Sequence, residues 1–134
     1  MQNKTNILDY ETCQSIGYDA EELIFTKTKE RLNSLHPAKD GMPYFDSVAL
    51  DEHQSEGLIS NCNTPARKEI MEIIREEYRN LDELNRHCLF IYFGGGDIDE
   101  NEIITDLAWH FEEVLSDRVD EILALNKSQN ILKN

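Results

Sequence analysis

The stretch FGGGDIDENEIITDL, residues 93–107, decides how the C-terminal half of this chain folds. Gly94–Gly96 can supply the positive φ angles of a chain reversal. Asp99, followed three residues later by Glu102, matches the capping box that starts a helix. An apolar pattern with helical spacing then begins at Ile104. The stretch therefore predicts the bend of a helical hairpin, from which a capped helix departs.

Two ligand-binding interpretations of the same stretch are weaker than the bend. Asp97, Asp99 and Asn101 match the first three ligand positions of an EF-hand calcium loop. Glu102 and Ala108, however, stand where that loop needs a turn glycine and a bidentate glutamate. A phosphate cradle is also disfavoured, because carboxylates crowd the start of the helix and no Walker lysine follows the glycines. We predict neither ligand here.

Apolar residues recur at helical spacing on both sides of the bend. Before the bend they are Ile70, Ile73, Ile74, Tyr78, Leu81, Leu84 and Cys88. After it they are Ile104, Leu107, Ala108, Phe111, Leu115, Val119, Ile122 and Leu125. Thr64 and Pro65 form a typical helix start, a capping hydroxyl followed by proline at the first helical position. The helix they start is predicted to reach Phe93, in one piece or as two helices broken near Asn80.

The N-terminal region carries two further helical patterns. A short helix over residues 9–16 is expected to end at Gly17. A clearer helix, capped by Asp19, follows it. The pair His36–Pro37 ends that helix, because the residue before a proline avoids the helical region.

The 134 residues therefore predict one all-α domain of three to five helices, with a C-terminal antiparallel helical hairpin that supplies most of the core. Residues 37–63 are expected to form a long loop with room for a short element around 45–50, and residues 1–8 and 127–134 to form loose tails. The alternative is an α+β fold with short strands near 42–50 and 88–93. It stays open because the second of these segments, CLFIYF, is aromatic and β-branched.

The charge narrows the class of partner. The formal net charge is −14, from 27 acidic residues against 13 lysines and arginines. Such a chain repels nucleic-acid phosphates and anionic lipid, so we expect no direct binding to nucleic acid or to a membrane. No apolar run approaches the roughly 20 residues that span a bilayer. The charge favours a basic protein partner, or solubility alone.

Thiol and histidine chemistry gives no recognised motif. Cys13, Cys62 and Cys88 are widely spaced and form no CxxC pair, which disfavours zinc ribbons and thioredoxin-type chemistry. Free thiols and the absence of an apolar leader predict a cytoplasmic protein. His87 and His110 each follow a carboxylate by four residues, but the Glu-x-x-His spacing of helical di-metal sites is absent.

We therefore predict no cofactor, no metal and no catalytic residue. The alternative is a small enzyme with a scattered site that uses His87, His110 or Cys88.

The solvent face of the last helix carries the strongest functional signal. From residue 97 to residue 121 its carboxylates are Asp97, Asp99, Glu100, Glu102, Asp106, Glu112, Glu113, Asp117, Asp120 and Glu121, and only Arg118 opposes them. A solvated helix usually mixes both signs, since i,i+4 pairs support it. Trp109, the one tryptophan, lies among these acids. We name Asp106, Trp109, Glu113, Asp117 and Asp120 the ridge and predict that they bind the partner.

Two further predictions concern the positions of single side chains on this helix. The helical phase of Trp109 points away from the apolar stripe, whereas the alternative has the first helix or the 37–63 loop cover it in a second small core. Arg118 lies at the edge of the stripe, and Glu77 lies within the stripe of the preceding helix. If the hairpin bends at Gly94–Gly96, these two side chains are predicted to pair.

In size, acidity and lack of motifs, the chain resembles bacterial immunity and antitoxin proteins that neutralise nucleases. The resemblance is one of composition, so it transfers no residues. It implies a toxin inhibitor that neutralises a basic partner through a carboxylate-rich helix face. Besides the small enzyme, an adaptor or chaperone-like binding protein is an alternative. The sequence leaves the oligomeric state open.

Overall fold

A computed structural model describes residues 9–53, 59 and 64–133. Within them the chain forms five helices: α1 (Tyr10–Leu35), α2 (Tyr44–His53), α3 (Pro65–Asn80), α4 (Glu83–Tyr92) and α5 (Glu100–Lys133). The described part of the chain contains no β-strand, and its bridge between Lys39 and Met42 is isolated. The all-α prediction and its range of three to five helices are confirmed.

The two segments that the α+β alternative assigned to strands are helical. Helix α2 covers most of 42–50, and α4 with its C-cap covers 88–93. Helix α5 extends to Lys133, through most of the range expected as a C-terminal tail. Residues 1–8, and most of the second half of the expected 37–63 loop, lie outside the described residues.

Side-chain caps define where most of the helices begin. Asp9, Thr64, Asp82 and Asp99 each accept a hydrogen bond from the backbone N–H three residues ahead, at 2.7–3.1 Å. Such a cap contributes about 0.5–2 kcal/mol, because it satisfies a donor that has no partner inside the helix. The predicted caps at Thr64 and Asp99 are confirmed, and so is the helix stop at His36–Pro37.

The predicted bend before α5 is also confirmed. Gly94, Gly95 and Gly96 have φ values of 115°, 64° and 68°. Side chains with a Cβ rarely adopt this region, so three successive residues there require glycine. The helix expected over 64–93 is broken after Asn80, where the guanidinium of Arg86 donates to the carbonyl oxygens of Arg79 and Leu81.

Gly17 does not end a helix, so the predicted short helix and the cap at Asp19 are wrong. Helix α1 runs through Gly17 without interruption. A Cβ at this position would lie 2.6 Å from the Cβ of Tyr92 and 2.7 Å from the carbonyl oxygen of Cys88. Gly17 is therefore the point at which the backbones of α1 and α4 approach closely.

Helix α1 lies antiparallel to both α3 and α4. His36, just after α1, contacts Glu69 near the start of α3 at 2.8 Å. At the other end, Gln14 donates to the carbonyl oxygen of Ile91 near the end of α4 at 3.3 Å. Helix α1, the longest of the first four helices, therefore spans the break at Asn80 and holds α3 and α4 together.

Helix α5 packs on α3 and α2, whereas α4 packs mainly on α1. Arg79 at the end of α3 pairs with Glu100 at the start of α5 at 2.7 Å. Farther along α5, Glu112 accepts the N–H of Ile59, which precedes α3, at 2.5 Å. The antiparallel partner of α5 is therefore α3, and α4 with the glycine bend lies between the two in sequence.

The core forms where the apolar faces of α1, α2, α3 and α5 meet. Its members include Ile24, Leu32, Phe45, Ile70, Ile74, Ile104, Leu107 and Phe111. The ring of Phe111 lies 5.2 Å from that of Phe25 and 6.0 Å from that of Phe45, between centroids. Among the described residues, no helix is both long enough and apolar enough to cross a membrane.

Candidate functional site

Helices α1 and α5 flank an open cleft of about 550 Å³. Its carboxylates come from both helices: Glu21 and Glu22 from α1, and Glu113, Asp117 and Glu121 from α5. Lys29 and Arg118 are the charged cations in its wall, so the cleft is negative. A volume of this size falls within the range of about 300–1,000 Å³ found for ligand pockets.

A buried carboxylate lies at one end of the cleft. Glu21 is only 4% exposed, and its two oxygens contact Nδ1 of His110 at 2.5 Å and the hydroxyl of Tyr92 at 3.3 Å. Burial raises the pKa of the Glu21 carboxyl, although the contact with His110 opposes the rise. The imidazole of His110 is thereby held in one orientation beside the cleft.

Arg118 closes the opposite side of the cleft through α2. Its Nε and Nη2 donate to the two carboxylate oxygens of Asp46 at 2.8 and 2.9 Å, and Nη1 donates to Glu121 at 2.9 Å. The fork on Asp46, followed by Glu121, raises the pKa of the guanidinium. The predicted pair of Arg118 and Glu77 is wrong, because Glu77 accepts from Arg31 at 3.1 Å instead.

The reason for that error is the register of α3 against α5. The prediction ran a helix back from the bend along α5, but α4 packs mainly on α1, and the end of α3 meets the start of α5 through Arg79 and Glu100. Glu77 therefore lies near the first turns of α5, far from Arg118, and pairs with Arg31 of α1. Arg118 meets α2, a helix within the segment expected to be a loop.

The floor of the cleft is aromatic. Phe25 and Phe45 are buried there, and the ammonium of Lys29 lies 5.3 Å from the centroid of the Phe45 ring. Tyr18 is exposed, and its ring meets that of Tyr92 edge-on with centroids 6.5 Å apart. Cations are attracted to aromatic faces at such distances.

The ridge lies on the side of α5 that faces away from the core. Its members follow one another at steps of three and four residues, so they form a continuous stripe. Trp109 is 62% exposed, which confirms its predicted phase and excludes the alternative of a second small core around it. Glu113, Asp117 and Asp120 are exposed and Asp106 is half-buried. None of these four carboxylates forms an ion pair with a lysine or arginine of the described residues.

The ridge and the cleft share two residues. Glu113 and Asp117 also line the cleft, whereas Asp106, Trp109 and Asp120 do not. The α1 contribution was missed by sequence reasoning, which started a helix at Asp19 and gave Glu21 and Glu22 no part in a site. The continuation of α1 through Gly17 places both in mid-helix instead, facing α5.

The other candidate groups are dispersed. His110 contacts Glu21 rather than Asp106, and the ring of His87 stacks near Phe90 with centroids 6.3 Å apart. Cys88 and Cys13 are buried free thiols in the α1–α4 interface, and burial raises the pKa of Cys88 to about 11. Cys62 and the side chain of His53 lie outside the described residues.

In the described part of the chain, no three histidine, cysteine or acidic side chains converge as metal ligands would. Comparison with known proteins found no family model that matches the chain, and no significant match to a curated protein or to a solved structure.

Proposed function

We propose that this protein is a stoichiometric inhibitor that neutralises a basic protein, such as a nuclease toxin, by docking the ridge onto it. One observation carries the proposal: a tryptophan that is 62% exposed stands in a row of carboxylates that lack cationic partners among the described residues. An exposed large aromatic flanked by unpaired charge has the composition of an interface hot spot.

The energetics favour a bound state. Like charges at helical spacing repel one another by a few tenths of a kcal/mol per pair, so the free ridge destabilises α5. A cationic surface removes that repulsion, and the negative field also steers the encounter. A nuclease provides such a surface, because the cleft that binds phosphates is basic. The carboxylates of the ridge would occupy the positions of the phosphates.

The proposed location is cytoplasmic and the proposed partner is a protein rather than nucleic acid or lipid. Cys13 and Cys88 are free thiols, as a reducing compartment favours. The net charge of −14 opposes approach to phosphodiesters and anionic headgroups.

The test compares two triple variants with the same change in net charge. The ridge variant carries Glu113→Lys, Asp117→Lys and Asp120→Lys. The control carries Glu30→Lys, Glu72→Lys and Asp97→Lys at exposed positions elsewhere. Each protein is titrated into a panel of basic nucleases, and inhibition and association rates are measured over a range of salt concentrations.

We expect the wild type to inhibit a nuclease at one-to-one stoichiometry and the ridge variant to associate about ten-fold or more slowly, with a weaker salt dependence. The control should stay closer to wild type. Trp109→Ala should speed dissociation, unlike Tyr10→Ala at the comparably exposed Tyr10. Equal effects of both triple variants, or a nuclease panel that is never inhibited, would contradict the proposal.

A second candidate function rests on the contact between Glu21 and His110. A buried carboxylate that orients an imidazole at the wall of a cleft is an arrangement used for general-base catalysis. Chromogenic ester and phosphate substrates would test it, with His110→Gln and Glu21→Gln as variants. Turnover that both variants abolish would support an enzyme, whereas turnover that persists in both variants, or is absent from the wild type, would exclude this dyad on those substrates.

A further inference from the structure

The cleft between α1 and α5 has chemistry of its own that the ridge does not explain. Two of its acids, Glu21 and Glu22, belong to a different helix from the ridge. The cleft also combines charge with aromatic surface, whereas Trp109 on the ridge lies outside it. A ligand that fits must therefore satisfy carboxylates on two sides and aromatic rings between them.

The two cations of the cleft wall, Lys29 and Arg118, do not neutralise the carboxylates at the mouth of the cleft, by which we mean its opening to solvent. Arg118 is fully engaged by Asp46 and Glu121 on one side. Lys29 occupies the face of Phe45 at the floor. Glu22 on α1 and Asp117 on α5 remain at the mouth, and neither forms an ion pair among the described residues. The same holds for Glu113.

Aromatic surface is accessible beside these free carboxylates. Phe25 and Phe45 are buried and offer little area, but Tyr18 is 51% exposed. Tyr92, edge-on to Tyr18, is held by its hydroxyl against Glu21. The accessible wall of the cleft is therefore a pair of tyrosines next to carboxylates.

We propose that the cleft receives an arginine side chain of the partner, with the guanidinium between the carboxylates of α1 and α5 and against Tyr18. A guanidinium is planar, stacks on aromatic rings and pairs with carboxylates through a fork of donors. A lysine ammonium is a compact charge, and the aromatic position that suits it is already taken by Lys29. This inference rests on the proposed inhibitor function, since it names the group that the basic partner presents.

The first experiment measures binding of short peptides to the intact chain by calorimetry and by NMR. Acetyl-tetra-arginine amide is the probe, and the matched peptides contain citrulline, which keeps the shape without the charge, or lysine. We expect saturable binding of the arginine peptide, shifts confined to residues of the cleft, and at least about ten-fold weaker binding of the other two peptides. Citrulline or lysine peptides that bind as tightly would overturn the assignment of a guanidinium.

The second experiment locates the peptide with charge-matched variants. The cleft variant is Glu22→Gln with Asp117→Asn, and the control is Glu72→Gln with Asp97→Asn, which removes the same charge at exposed positions outside the cleft. We expect the cleft variant to bind the arginine peptide about ten-fold more weakly and the control within about two-fold of wild type. Equal weakening in both would overturn the cleft as the site.

The arginine site in the cleft and the inhibitor function of the ridge can be refuted independently. Asp106→Asn with Asp120→Asn alters the ridge outside the cleft, so it should slow association with a basic nuclease and leave the arginine peptide unaffected. If the peptide binds the cleft but no ridge variant alters nuclease inhibition, the inhibitor function is refuted and the arginine site stands. If ridge variants alter inhibition and no peptide binds, the arginine site is refuted alone.

Discussion

Replacement of Gly17 by alanine tests the close approach of α1 and α4. In an ordinary helix interior this change stabilises by about 1 kcal/mol, because alanine is the better helix former. Here the new Cβ would lie 2.6 Å from the Cβ of Tyr92 and 2.7 Å from the carbonyl oxygen of Cys88. Both distances are well inside van der Waals contact, and neither neighbour is the end of a flexible side chain. The helices must separate locally, at a cost of about 1–3 kcal/mol.

The two effects together predict that Gly17→Ala lowers the free energy of unfolding by up to about 2 kcal/mol. Gly17→Val should lower it further, because valine adds more atoms and is a poorer helix former. Urea unfolding followed by circular dichroism at a helical wavelength measures the change. Ser15→Ala, at an exposed position of α1, is the control and should change stability by less than about 0.5 kcal/mol. If Gly17→Ala stabilises the chain, as it would in an isolated helix, the reasoning about the crossing is refuted.

Three further predictions concern the charged and thiol groups around the cleft and the α1–α4 interface. Arg118→Met should lower the free energy of unfolding, measured by denaturant titration, by about 1.5–3 kcal/mol, because Asp46 is left buried without its donors. Glu121→Gln, at the exposed partner of Arg118, should lower it by less than about 1 kcal/mol. Equal losses of stability in the two variants would contradict the buried pair of hydrogen bonds between Arg118 and Asp46. Cys88 should react with iodoacetamide at pH 8 at least about 100-fold more slowly in the folded chain than in urea, because its pKa is raised to about 11. Mass spectrometry of the peptide that contains Cys88 measures the rate of alkylation. Rapid labelling of the folded chain would contradict its burial. Burial raises the pKa of Glu21 above its ordinary value of 4.5, so between these two pKa values the folded chain keeps a proton that the unfolded chain has released. The resulting contribution to the free energy of unfolding is therefore fully present below pH 4.5 and is lost as the pH rises through the raised pKa. Relative to Glu21→Gln, the wild type should therefore lose stability as pH rises through that window, and parallel pH profiles would contradict the shift.

Local signals in the sequence predicted much of the fold. The caps at Thr64 and Asp99 depend on a hydrogen bond to a residue three positions ahead, so they are visible in a short window. The glycine bend is similar, because the positive φ values belong to the glycines themselves. The direction of Trp109, away from the apolar stripe of α5, followed from helical phase, but phase alone left open whether another segment covers it; the structure shows that it is exposed.

Features that depend on tertiary contacts were not predictable in the same way. Gly17 has the same local signal whether it ends a helix or admits a neighbouring backbone, and only the position of α4 distinguishes the two. Arg118 could pair with any carboxylate that the fold brings near, and α2 supplied Asp46 from a segment read as a loop. The α1 side of the cleft was missed for the same reason.

The position of α1 across α3 and α4 has a consequence for synthesis on the ribosome. Gln14 and Ile91 are 77 positions apart in the chain, and Glu21 and His110 are 89 apart. At roughly 5–20 residues per second, α1 is made several seconds before the helices that cover it. Through that interval Ile24 and Leu32, both fully enclosed in the finished molecule, face water. Until residue 110 has been made, this apolar surface lacks part of its cover, and exposed apolar surface of this kind is prone to aggregation.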